Sequence, residues 1–108
     1  MAVITLTDIQ NFATELAREF LPEKVILFGS YAAGTAREES DVDLLVVMPG
    51  DTSGPRVAAD IITRLKPTLP VELIVRSAHQ LEERLALGDF FLRDVMATGK
   101  ELYAAPHH

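Results

Sequence analysis

No cysteine occurs among the 108 residues, so disulfides and thiolate-bound zinc are excluded at once. No apolar run approaches the ~20 residues that a membrane-spanning helix needs; the longest, such as LLVVM at 44–48, fall far short. The opening MAVITLTDIQ lacks the basic start and long apolar stretch of a secretory signal. Basic residues are in the minority, 10 Lys and Arg against 16 Asp and Glu, for a net charge of −6. A broad cationic surface for holding nucleic acid is therefore not expected. Nor is there an internal repeat or a low-complexity tract. The plain expectation is a cytoplasmic protein that contacts neither membrane nor nucleic acid directly.

What is present suits one small core. Hydrophobic residues make up 48% and charged residues 24%, ordinary values for a globular chain, and one domain over 1–108 is expected, with a flexible tail from about 104 through His107 and His108. Thr7 and Gln10 read as a capping box, followed at helical spacing by Ile9, Phe12, Ala13, Leu16, Ala17 and Phe20, with Pro22 as the stop. KVILF at 24–28 reads as a buried strand, 41–48 as a second and VELIV at 71–75 as a third. Ser53 and Pro55 start a helix that ends before Pro67, and Ser77 with Gln80 form another capping box. Asp89 caps a last helix closed by Gly99, and KELYA can add an edge strand. The fold class is α/β (α+β), a small mixed sheet of three to four strands flanked by helices.

The informative stretch is GSYAAGTAREESDVD, Gly29 to Asp43. Two aspartates one residue apart, at the start of the most apolar strand, repel each other and lose hydration unless something compensates. On a strand Asp41 and Asp43 face the same way, Cα atoms roughly 6.5–7 Å apart, and can bracket two Mg²⁺ ions at the ~3.5–4 Å spacing of two-metal sites. Gly29 permits close backbone approach, and Ser30 opens a short helical turn whose N–H groups suit a phosphate. For Gly29–Ser30 to share a site with the aspartates, the first two strands run antiparallel. The helical crossover after Met48 then makes the third strand parallel to the second, which brings Glu72 to the same end. Glu72 can complete a metal shell or take the proton of an attacking hydroxyl. Arg37 suits a triphosphate.

FGSYAAGTAREESDVDLLVV resembles the signature of the nucleotidyltransferase superfamily related to DNA polymerase β, particularly the minimal nucleotidyltransferases. Their Gly-Ser, ten residues, Asp-x-Asp pattern is matched at Gly29, Ser30, Asp41 and Asp43, and Gly34, Arg37 and Ser40 resemble common choices in such loops. LGDFFLRDVMATGKELY is similar to the family's final helix and strand, so the resemblance covers essentially the whole chain. It departs at Ala33, where relatives often carry arginine, and at Glu72, where they usually carry aspartate. The resemblance implies the nucleotidyltransferase fold, with ATP as substrate, Mg²⁺ on Asp41, Asp43 and Glu72, and phosphate contacts from Gly29, Ser30, Arg37 and Ser40. It also implies a HEPN-domain toxin as partner in a hetero-oligomer, modified by AMP on a tyrosine. A second copy of the chain is the other way to complete a pocket.

Plainer roles stand beside these. Phe90 and Phe91 at helical spacing are expected in the core, Tyr31 is expected to pack, Glu38 and Glu39 to be solvated, and His79 to have no role. Two other functions remain open: transfer to a small molecule, and a non-catalytic antitoxin that occludes its partner.

Overall fold

Alternation along two strands lays out the molecule. In the computed structural model, which describes residues 4–51 and 53–106, Val25 and Leu27 of strand β1 (Lys24–Phe28) point to one face of the sheet and Ile26 to the other. In β2 (Val42–Met48), Val42, Leu44, Val46 and Met48 join the first face while Leu45 and Val47 join the second. A strand covered on both sides has to be apolar at nearly every position. That is why DLLVVM breaks the usual polar alternation and why Asp43 is conspicuous in it.

Helices supply both covers. The first layer is α1 (Leu6–Phe20), whose Ile9, Phe12, Ala13 and Leu16 enter one cluster, together with α3 (Gly54–Leu65) through Ile61. The second is α4 (Ala78–Ala86) and α5 (Phe90–Thr98), which contribute Leu81, Leu92 and Val95 to a separate cluster. A four-residue turn of helix, α2 (Ser30–Ala33), links β1 to the loop before β2. The sheet is completed by β3 (Val71–Ser77) and β4 (Lys100–Ala104) in the order β3-β2-β1-β4. β1 is antiparallel to both β2 and β4, and β2 is parallel to β3. This is the mixed sheet expected from the placement of the acids, with KELYA as its edge. Among the described residues no helix is long and apolar enough to cross a membrane.

Several local expectations are corrected. The capping box of α1 is Thr5 with Asp8, not Thr7 with Gln10: the Asp8 N–H donates to Thr5 Oγ1 at 3.1 Å and the Thr5 N–H to Asp8 Oδ2 at 2.9 Å. This earlier start puts Ile4 and Ile9, both in the first cluster, at the two staple positions around the cap. Strand β2 begins at Val42, whose N–H donates to Pro70 at 2.8 Å, so Asp41 lies just ahead of it. Strand β3 runs on to Ser77, two residues further than VELIV. Backbone from the expected tail is held in place, since Ala104 pairs in β4 and the Ala105 N–H donates to Glu23 at 2.8 Å; His107 and His108 lie outside the described residues. Phe90 and Phe91 are not in the core, because the apolar stripe of α5 falls on Leu92 and Val95.

Ser77 joins strand to helix without a loop. It is fully buried, and its hydroxyl accepts from the Gln80 N–H at 3.1 Å while its own N–H donates to Gln80 Oε1 at 3.2 Å. Ser77→Ala removes the cap inside the core and should lower stability by about 1–2 kcal/mol, a fall of at least ~4 °C in melting temperature for a domain of this size. Calorimetry reads this directly.

Candidate active site

Register places three side chains in a line across the sheet. Antiparallel pairing sets Phe28 opposite Asp43, and parallel pairing sets Asp43 opposite Glu72. All three have the parity of Ile26, Leu45 and Ile74, so they share the face covered further along by α4 and α5. Directly opposed residues on one face have Cβ atoms about 4.5–5.5 Å apart. Asp43 is half-buried, whereas Asp41, just before the strand, and Glu72 are exposed. The row is therefore most open to solvent at Glu72, with half-buried Phe28 at its other end.

Gly29 is dictated by this line. Its φ of 75° and ψ of −154° lie in a region that essentially only glycine adopts, and a Cβ there would overlap Asp43 Oδ2. The bare backbone lets the chain leave β1 directly over the carboxylate. Ser30 then opens α2, and Gly34 ends it in the left-handed conformation with φ 77°. The loop onward is tied at Ser40: its Oγ accepts from the Arg37 N–H at 2.8 Å, and its N–H donates to the Arg37 carbonyl at 3.0 Å.

Electrostatics separate this cluster from ordinary surface acids. Burial first, then the negative charges of Glu72 and Asp41, raise the Asp43 carboxyl above its ordinary range. Asp89 shows the contrast. The Leu92 N–H and the Arg84 guanidinium hold its carboxyl below the usual value, as befits the cap of α5. Asp89 is satisfied by its surroundings; Asp43 needs a counter-charge.

The structure thus brings Gly29, Asp41, Asp43 and Glu72 together, with Ser30 following directly on Gly29. For Arg37 it shows an exposed side chain and a backbone tie to Ser40. Ser40 acts visibly as a loop clasp, which the motif alone did not reveal. Phe28 joins the site as well, because its place immediately before Gly29 in an antiparallel pair puts it opposite Asp43. Among the described residues no group of three or more His, Cys, Asp or Glu side chains is arranged to hold a metal ion. The donor set nevertheless fits Mg²⁺ in kind, since that ion is held by one or two carboxylates together with substrate phosphate oxygens rather than by an all-protein cage. A cleft of about 640 Å³ between α1 and the 65–70 segment contains none of the three acids.

A family model described as a nucleotidyltransferase domain matches residues 9–97. The chain belongs to that family. A Methanocaldococcus jannaschii protein, named as a candidate protein adenylyltransferase, is 39% identical over 83 residues, covering 75% of this chain and 78% of the relative. In three dimensions the chain is similar to one from a toxin–antitoxin crystal structure with AMP-PNP, with a TM-score of 0.58 and 24% identity over 89% of this chain and 73% of the other. It is also similar to a chain from the complex of a tri-AMPylated Shewanella oneidensis HEPN toxin with MNT antitoxin, with a TM-score of 0.53 and 19% identity over 94% and 74% of the two chains. At these identities the two structures speak for the fold. The nucleotidyltransferase fold and enzyme class implied by the resemblance at Gly29, Ser30, Asp41 and Asp43 are those found.

The raised Asp43 carboxyl has a consequence for stability. Because the folded chain takes up this proton more readily than the unfolded one, its stability rises as pH falls through the raised pKa and is lower once Asp43 is ionised. Asp43→Asn, which mimics the protonated form, should melt above the wild type at pH 7. The gap should close as pH falls toward the ordinary value of 3.8. Paired melting curves across that range check it; a wild type that melts higher at pH 7 would contradict it.

Proposed function

We propose that this nucleotidyltransferase transfers AMP from Mg²⁺-ATP to a tyrosine hydroxyl of a HEPN-domain toxin, and thereby acts as its antitoxin in a hetero-oligomer. The observation that carries this reading is the line Phe28–Asp43–Glu72 with Gly29 bared against Asp43: a coupled acid cluster beside a glycine-opened turn. The acceptor is taken from the relatives, one named as a candidate protein adenylyltransferase and one crystallised as an antitoxin with an AMPylated HEPN toxin. ATP is supported by the AMP-PNP complex of a neighbour.

In this reading 1–108 works as one nucleotidyltransferase domain. Gly29 and Ser30 receive the β- and γ-phosphates through backbone N–H groups and the Ser30 hydroxyl. Ser40 holds the loop that carries Arg37 toward the same phosphates. Asp41, Asp43 and Glu72 would hold Mg²⁺, which would supply charge neutralisation at the transferring phosphoryl group. The acceptor oxygen attacks the α-phosphorus; the new O–P bond forms as the bond to pyrophosphate breaks, and the hydroxyl proton passes to Glu72 or, where Glu72 completes the metal shell, to water. Positioning and charge provide the rate.

The test is intact-mass analysis of the purified HEPN-domain protein of the source cell after incubation with this chain and Mg²⁺-ATP. Wild type should add AMP, and Asp41→Asn or Asp43→Asn should slow this at least a hundredfold, about 2.7 kcal/mol of barrier. Undiminished transfer by either variant would remove the carboxylates from the chemistry. Toxin neutralisation by a folded Asp41→Ala/Asp43→Ala variant that forms no adduct would replace transfer by occlusion.

A further inference from the structure

The turn between α4 and α5 leaves apolar side chains in water. Leu87 at the end of α4 is 77% exposed, Phe90 at the start of α5 is 85% exposed and Phe91 is 50% exposed. A helix this short has few apolar positions to spend, yet α5 turns its two aromatics outward and buries Leu92 and Val95. Phe91 is not loose. Its ring meets that of Phe28 edge to face, with centroids 5.5 Å apart and planes at 83°. Since Phe28 stands opposite Asp43, the Phe91 ring lies one side chain away from the carboxylate row.

We propose that Leu87, Phe90 and Phe91 form the surface on which the acceptor protein docks while its hydroxyl lies at Asp43, and that the acceptor presents an apolar or aromatic segment there. This rests on the reading of the acceptor as a protein. Two observations select this occupant. First, the three side chains expose a few hundred Å² of apolar surface, spread over a helix end and the next helix start. A single nucleobase covers one ring face. Second, the patch has a polar rim, with the Arg84–Asp89 ion pair at 3.3 Å and exposed Arg93 beside it. An apolar centre with aromatic anchors inside a polar rim is the anatomy of a protein interface. The triphosphate is assigned to Gly29 and α2, so the turn stays open to the acceptor.

Phe90→Ser and Leu87→Ser test this, because both positions are exposed and the core does not depend on them. Three quantities are measured for wild type and the double variant: melting temperature, affinity for AMP-PNP with Mg²⁺ by calorimetry, and affinity for the source-cell HEPN-domain protein, with KM and kcat for AMP transfer to it. The expected result is a loss of at least tenfold in partner affinity and a matching rise in KM. AMP-PNP affinity, melting temperature and kcat at saturating partner should stay within about twofold or a few degrees. Equal partner affinity in variant and wild type would overturn the docking surface while leaving the proposed transfer intact. Weaker AMP-PNP binding with unchanged partner affinity would overturn it in favour of a nucleobase platform. A wild-type complex that weakens in the variant yet never yields an adduct would uphold the surface and fault the transfer. No wild-type complex at all would overturn both.

Discussion

The register of β2 against its two neighbours is the constraint on which the site depends. Antiparallel to β1 and parallel to β3, it sets Asp43 between Phe28 and Glu72. A slip of one residue would turn every side chain of the strand to the opposite face. The two apolar clusters prevent that slip, because Val42, Leu44 and Val46 fit only under α1 and α3, and Leu45 and Val47 only under α4 and α5. Core packing thus pins a carboxylate in a position it would not choose, half-buried and next to two more acids. The strained electrostatics are held by hydrophobic burial elsewhere, a pattern common to sites that await a cation or a charged substrate.

Much of this was legible in the residues. KVILF as a strand, Ser77–Gln80 as a capping box, Asp89 as a cap and KELYA as an edge strand each rest on local chemistry: β-branched runs, hydroxyl and carboxylate caps, and helix-ending glycines. Sheet topology followed from requiring Gly29–Ser30 and the acids to meet. Thr5 and Thr7 compete as caps in TLTDIQ, and the choice between them falls to Ile4 and Ile9, whose tertiary packing a local pattern does not contain. Phe90 and Phe91 were misread for a related reason. Helical spacing says that an apolar stripe exists, not which of two overlapping stripes meets the sheet, and Leu92 with Val95 took that place.

In the site itself, the identity of the acids and their convergence could be argued from spacing and topology. The role of Ser40 as a clasp on Arg37, and the edge-to-face contact of Phe28 with Phe91, could not, since the first is a fold-back of an irregular loop and the second a contact between distant elements. In the proposed reading the centre is asymmetric, with the triphosphate at Gly29 and α2, acids in the middle, and aromatics on the flank toward α5. Such asymmetry suits a reaction with a charged donor and a bulky acceptor.

The most direct test is a crystal of the chain with AMP-PNP and Mn²⁺, with data collected to reveal anomalous scattering from the metal. The account predicts manganese on the carboxylates of Asp41 and Asp43, with the triphosphate lying along Gly29 and Ser30. Manganese absent from both aspartates, with nucleotide seated in the cleft beside α1, would contradict it.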